Sequence, residues 1–243
     1  EAKDEWARFP ALDALFEYNG SGVMPGRTWV IAPDAQSLTD RWARLVREKD
    51  PKTKEALFYP HEGGDKTLSK STKVGLAGHE FRGTAVDKDT AGPVKPTRYS
   101  LRSFDRQWII PDNRLLNRPN PELWNGFSHG QVFFTSPEDR TPENGPALTV
   151  TGLLPDLHHY HGRGGRAFPL WRDAAATIPN VKSALIAHLA TTYGQPVTAP
   201  DVMAYIAALL AHPAFTARFK EDLIRPGLQI GRASCRERVC SVV

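Results

Sequence analysis

Apolar side chains recur along this chain with different rhythms, and each rhythm marks a different kind of segment. Leu38, Trp42, Leu45 and Val46 fall at helical spacing behind Pro33-Asp34, which predicts a capped helix over about 35–48. The run Thr28-Trp-Val-Ile-Ala32 just before it reads as a short buried strand. From Thr97 the period drops to two. In Arg98-Tyr-Ser-Leu-Arg-Ser-Phe104, Tyr99 and Leu101 take one strand face, and Arg98, Ser100 and Arg102 take the other. Trp108-Ile-Ile110 continues this sheet. Gln131-Val-Phe-Phe-Thr135 and Ala147-Leu-Thr-Val-Thr151 add strands, separated by Pro- and Gly-rich gaps at 119–121, 137–146 and 162–165.

The last third returns to helical spacing. Val181, Leu185, Leu189 and Tyr193 mark a helix that ends at Gly194, a residue suited to the left-handed C-terminal position. Thr198-Ala-Pro-Asp201 is a capping-box start, with Pro tolerated in the first turn because its missing N–H is not needed there. Val202, Ile206 and Leu209 form the buried stripe of that helix, and Pro213 stops it. Phe215, Phe219 and Leu223 predict a third. The fold class expected is therefore α+β, with a mainly β central region followed by a C-terminal three-helix bundle. Residues 49–97, rich in Lys, Gly, Thr and Asp, read as loop or poorly ordered linker.

Composition changes this picture little, except at the end of the chain. The 243 residues are 40% hydrophobic and 24% charged, as in an ordinary globular protein. No apolar run approaches the ~20 residues a membrane span needs, and Glu1 does not open a secretory signal. A cytoplasmic protein with no membrane partner is expected. Both cysteines, Cys235 and Cys240, lie in the final stretch. The run Ile230-Gly-Arg-Ala-Ser-Cys-Arg-Glu-Arg-Val239 back-translates into a common short-read sequencing adapter. Residues 230–243 are therefore expected to be an artefact, exposed and unpacked. Without them the net charge falls from +4 to +2, since Arg232, Arg236 and Arg238 outweigh Glu237.

Catalytic signatures are missing. The chain has no Gly-x-x-x-x-Gly-Lys-Ser/Thr phosphate loop, no Gly-x-Gly-x-x-Gly after a strand and no Gly-x-Ser-x-Gly elbow. Asn120-Pro121 is followed by Glu122, so the Asn-Pro-Pro-Tyr signature of adenine methyltransferases is absent as well. No catalytic or cofactor-binding residue is expected. The densest polar cluster, Asp156-Leu-His158-His159-Tyr-His161, contains legitimate zinc ligands, but in no standard spacing. Neighbouring histidines on a strand also point opposite ways. A histidine-metal hydrolase stays open as an alternative, as does a module that binds no nucleic acid.

The second cluster is basic and aromatic together. Between Lys95 and Arg118 stand Lys95, Arg98, Arg102, Arg106, Arg114 and Arg118, six cations against the two carboxylates Asp105 and Asp112. Tyr99, Phe104 and Trp108 interleave with them, and Gln107, Asn113 and Asn117 sit alongside. Arg reading guanine and Asn or Gln reading adenine are the commonest base-edge contacts, while further arginines hold phosphates. The expected DNA-binding set is Lys95, Arg98, Arg102, Arg106, Asn113, Arg114, Asn117 and Arg118. Arg163 and Arg166 of the glycine-rich loop join it.

Several of these segments resemble a known family. Arg102-Ser-Phe-Asp-Arg-Gln-Trp-Ile-Ile-Pro-Asp112, followed by Arg114-Leu-Leu-Asn-Arg-Pro119, resembles the "R-P-F-D-x-R-W…D-x-R" stretch in the C-terminal specificity domain of type ISP restriction–modification enzymes. Gly165-Arg-Ala-Phe-Pro-Leu170 resembles the family's "F-P-L-Y" segment. The stretch from Asp201 to Phe219 resembles its "Y-I-Y-A-x-L-H-S-P-x-Y-R-x-x-Y" helix pair, and Gly26-Arg-Thr-Trp-Val-Ile-Ala-Pro33 resembles the segment joining the methyltransferase to this domain. The sequence departs from the pattern at Ser103, at Leu170-Trp171 and at Ala211-His-Pro213. The resemblance implies a module that recognises double-stranded DNA for a single-chain enzyme methylating adenine at N6. S-adenosylmethionine and ATP would bind elsewhere in that parent chain, and none in this fragment. It also implies a division into a methyltransferase-proximal part and linker (1–95) and a target-recognition core with C-terminal helices (96–229), ahead of the tail (230–243).

Overall fold

A computed structural model describes residues 6, 8–58, 66–137, 145–160, 164–223 and 228–230. Two antiparallel sheets organise it. In the first, β4 (Asp105–Ile109) lies between β2 (Ile31–Ala32) and β3 (Thr97–Arg102). In the second the order is β1 (Gly20–Ser21), β7 (Gly165–Pro169), β5 (Phe133–Pro137) and β6 (Thr149–Thr151). The segment 28–32 is extended only in its last two residues, because Thr28–Val30 close a 3-10 turn first. β7, not expected from the sequence, starts at Gly165 where the expected connector 162–165 ends, and it is the inner partner of both β1 and β5.

The helix behind Asp34 forms as its spacing predicts. It is α1 (Ala35–Arg47), and the Asp34 carboxylate accepts the Ser37 N–H at 2.7 Å, satisfying one of the donors that a helix start leaves unpaired. Leu38, Trp42 and Leu45 are its buried stripe. They pack with Val30, Ile109, Ile110 and Leu116 into one core around the β2–β4–β3 sheet.

The polar stretch 49–97 is mostly loop where it is described, but it is anchored to the core. It opens with α2 (Pro51–Phe58), whose Phe58 is fully buried. Beyond 65 it is loop apart from a 3-10 turn at Val86–Lys88, yet Leu68, Leu76, Val86 and Val94 each drop into the same core. Sparse apolar anchors suffice because the intervening backbone is tied down: the Trp42 indole donates to Ala91 O at 2.7 Å, and Arg114 Nη1 donates to Thr84 O at 2.7 Å. A composition that reads as disordered packs here through side chains supplied by other segments.

A short helix, α3 (Pro121–Asn125), buries Leu123 and Trp124 in that core. The C-terminal third holds α4 (Ser183–Tyr193), α5 (Ala199–Ala211) and α6 (Pro213–Arg218). Gly194 ends α4 at φ +66°, in the left-handed region. The capping box at Thr198 and Asp201 starts α5. These helices do not make a self-contained bundle. α4 buries no residue, and Tyr193 is exposed. Instead α5, Phe215, Phe219 and Leu223 pack on Phe134, Leu148 and Phe168 of the second sheet, with Trp6 and Phe16 from the N-terminal segment. The expected tail boundary also shifts, since Ile230 is buried and its N–H donates to Pro10 O at 2.9 Å. Residues 231–243 lie outside the described set.

Residues 154–157 stitch the two halves together. Ser100 N–H donates to Leu154 O at 3.0 Å and the Asp156 N–H returns to Ser100 O at 2.9 Å, so this strip runs along the free edge of β3. On its other side Val23 N–H donates to Pro155 O at 2.9 Å. Gly22 is required there: a Cβ would stand 2.3 Å from Asp156 O.

Candidate nucleic-acid interface

The β3–β4 hairpin carries the centre of the basic cluster, and its backbone explains where the cations go. Arg98 pairs with Trp108 and Ser100 with Arg106, so these four share a face. Arg102 pairs with Asp105, which leaves Ser103-Phe104 as a two-residue turn. Two-residue turns match strand twist best when their φ angles are positive. Neither Ser103 nor Phe104 has a positive φ. The register shifts between Ser100 and Arg102 to accommodate this, with Leu101 as the extra residue.

That bulge corrects the expected faces. Strict alternation puts Tyr99 and Arg102 on opposite sides, yet both reach one carboxylate: the Tyr99 hydroxyl donates to Asp156 Oδ2 at 2.5 Å and Arg102 Nη1 to Asp156 Oδ1 at 2.9 Å. The His158 N–H donates to Asp156 Oδ1 as well, at 2.7 Å. Burial pushes the Asp156 carboxyl above its ordinary range against these three partners, and burial beside Asp156 pushes the Tyr99 hydroxyl well up. Ser100, expected to share an exposed face with the arginines, is buried. Its hydroxyl meets His159 Nε2 at 2.8 Å.

His159 is a structural histidine. Its other ring nitrogen lies 2.9 Å from Thr135 Oγ1 and 3.4 Å from Thr149 Oγ1, so it ties β3 to β5 and β6. Burial, with the Arg102 cation adding to it, pushes its pKa down to about 4. His158 Nδ1 accepts the Gly164 N–H at 2.9 Å. Both histidines are thus committed to hydrogen bonds within the fold. His161 lies outside the described residues, and among those described no group of three metal-ligating side chains comes together.

The remaining candidates separate into surface and interior. Lys95, Arg106 and Arg118 are exposed, and the Arg102 side chain keeps 45% of its surface in solvent. Arg98 is half-buried with its guanidinium 5.4 Å from the Trp108 ring, a cation–π arrangement that flattens it on the sheet. Arg114 does not belong to this surface. Its side chain is 0% exposed, paired with Asp112 at 2.6 Å and with Asp89 at 2.9 Å. A guanidinium buried between two carboxylates holds loops together and meets no ligand from solvent. The surface balance survives its loss, because Asp112 leaves with it.

Asn113 and Asn117 are half-buried. The Asn113 amide donates to Val74 O at 2.8 Å, and Asn117 packs where a Cβ on Gly26 would lie 2.5 Å from its own. Arg166 stands on β7 in the other sheet, with Nε donating to Asn19 Oδ1 at 2.8 Å. Arg163 lies outside the described residues. The hairpin therefore carries Arg98 and Arg106 on one face and Arg102 on the other, with Lys95 just ahead of β3, whereas Arg166 stands on the other sheet.

The family model of the Type ISP C-terminal specificity domain matches residues 14–238. The chain belongs to that family. The specificity-domain match runs past the buried Ile230 and takes in both sheets and all the C-terminal helices. No curated protein matches the sequence. Among solved structures, a DrdV–DNA complex determined by cryo-electron microscopy is 18% identical with a TM-score of 0.59, covering 89% of this chain and 21% of that one. A nuclease-deletion mutant of the Type ISP restriction–modification enzyme LlaGI, in complex with a DNA substrate mimic, is 14% identical with a TM-score of 0.58, covering 93% and 21%. The ATP-dependent Type ISP enzyme LlaBIII bound to DNA is 12% identical with a TM-score of 0.57, covering 93% and 15%. At these identities the likeness is one of fold. The specificity domain spans about a fifth or less of the length of those chains.

Two features of the site escape the sequence. Asp156 and His159 sit in a histidine-rich run whose obvious chemistry is metal binding, and only the folded strip beside β3 gives them partners. Phe104 is fully exposed at the hairpin tip, because Ser103-Phe104 form the turn where the sequence pattern reads a strand continuing over 98–104.

Proposed function

We propose that this domain recognises a specific sequence in double-stranded DNA on behalf of a restriction–modification enzyme. Membership of the Type ISP specificity-domain family carries the reading. The hairpin supports it physically. It offers Lys95, Arg98 and Arg106, with Arg102 and Gln107 on the opposite face, along a two-stranded ribbon, and a ribbon of that kind fits a major groove. Arginines over phosphates set register, while one bidentate arginine or the Gln107 amide reads a base edge. By family resemblance the parent chain methylates adenine at N6, and this domain decides which adenine. Extruding that base requires the duplex to be held in fixed register, which is what a positively charged module bonded to both strands supplies. S-adenosylmethionine and ATP would act in other parts of the parent, in the cytoplasm where its DNA lies.

Selection from a pool of random duplexes tests the proposal. This chain should enrich one short sequence, and the enriched duplex should bind ~1,000-fold or more tightly than unselected DNA. A pool that stays random through repeated rounds contradicts it.

A further inference from the structure

Phe104 stands out from every other large apolar side chain of the described fold. It is 102% exposed, whereas Val74, Phe81 and the other exposed apolar residues keep roughly half of their surface covered. A ring left wholly in water gains little from folding and stands free to meet a partner outside this domain. The tip is also braced. The bulge at Ser100–Arg102 and the Asp156 carboxylate, which takes hydrogen bonds from Tyr99, Arg102 and His158, fix the root of the turn to the buried strip 154–157. Arg102 and Arg106 flank the ring in sequence on the two strands.

A partner matching this tip presents a flat apolar interior bordered by anions. A stack of base pairs between two rows of phosphates has that character, and apolar side chains that enter such a stack unstack a base step and kink the duplex. We propose that Phe104 is a wedge that enters the base stack of the bound duplex, with Arg102 and Arg106 on the adjacent phosphates. The inference rests on the DNA-facing reading of the hairpin and adds to it a deformation of the DNA. The wedge lowers the cost of moving a neighbouring base out of the helix, since a step already unstacked has less to lose.

The test uses this chain and its selected duplex, with 2-aminopurine placed at successive positions. Binding should raise the fluorescence at one step, where the base has lost its neighbour. Phe104→Ala should abolish that rise at saturating protein and weaken binding about tenfold, with an unchanged melting temperature. Phe104→Leu should restore part of the rise. Arg106→Ala should weaken binding yet keep the rise once saturated, which separates phosphate contact from wedging. Normal binding with no rise at any position overturns the wedge and leaves DNA recognition standing, as does a rise that survives in Phe104→Ala. A lowered melting temperature in Phe104→Ala also overturns it, because the ring is then packed against protein. Absence of any duplex binding by the unaltered chain refutes both readings together.

Discussion

His159 makes the stability of this domain depend on acidity in a way that can be worked out in advance. The ring is 1% exposed, and both nitrogens are engaged by hydroxyls of Ser100 and Thr135. A neutral imidazole suits two such partners, whereas an imidazolium has no acceptor left to give and no water to solvate it. Its pKa accordingly drops from 6.5 to about 4 in the fold. The unfolded chain takes up the proton first as pH falls, so the folded state loses stability through the window from about 6.5 down to about 4. With about 1.4 kcal/mol per unit, the loss at about pH 4.5 is roughly 2–3 kcal/mol. Asp156 works with the opposite sign, because burial raises its folded pKa and favours the protonated fold at the acid end. Comparing the protein with a His159→Gln variant isolates the histidine, since glutamine keeps a donor and an acceptor and does not titrate. Urea denaturation at about pH 7 and about pH 4.5 should show the unaltered chain losing roughly 2–3 kcal/mol more than the variant. Equal losses would mean that His159 is protonated or solvated in the fold, and the network around Ser100 would be wrong.

Other perturbations follow from the same packing. Phe215→Ala removes a ring 2% exposed in the C-terminal cluster and should cost ~3–5 kcal/mol in urea denaturation; a loss under about 1 kcal/mol, the range of surface changes, contradicts its assignment. Asp112→Ala strips the buried Arg114 guanidinium of one carboxylate and should cost ~3–5 kcal/mol, most of it from the cation left underpaired. Thr198→Ala deletes half of the capping box of α5 and should lower stability by ~1 kcal/mol, with helical circular dichroism changed little. Gly22→Ala forces a methyl group against Asp156 O and should loosen the strip beside β3, seen as faster amide exchange at Ser100 and Asp156.

Local rules made much of this fold legible. The caps at Asp34 and Thr198, the glycine stop at Gly194 and the stripes of α1 and α5 are all set by neighbours within one or two turns. The strand at β3 followed from its period of two, and the apolar run at 108–110 marked the end of β4, although neither their pairing nor the turn at 103–104 was legible. What stayed hidden depends on distant partners. Leu68, Leu76, Val86 and Val94 are too widely spaced to show a period, and they become core only because α1 and the first sheet stand ready to receive them. The sequence pattern does not mark β7 as a strand, since the glycine-rich connector 162–165 runs into its first residue, yet it supplies the central pairing of the second sheet. At the site, the cations were visible as a cluster, but their separation was not. Arg98 and Arg114 have the same formal charge in sequence, and only the buried carboxylates Asp89 and Asp112 show that the second is structural. The bulge that turns Arg102 toward Asp156 leaves no mark in the alternating pattern.

The claim that the β3–β4 hairpin faces DNA is tested most directly by the salt dependence of duplex binding. If Arg98, Arg102 and Arg106 hold phosphates, each single change to alanine should flatten the plot of log affinity against log salt by about one unit of slope. If one of them reads guanine instead, its loss should cost ~1–3 kcal/mol on the selected sequence and little on random duplex. Lys220→Ala, distant in sequence and on an exposed position beyond α6, should leave both quantities as they were. Slopes, affinities and sequence preference unchanged in all three arginine variants, with their folding intact, would contradict the account.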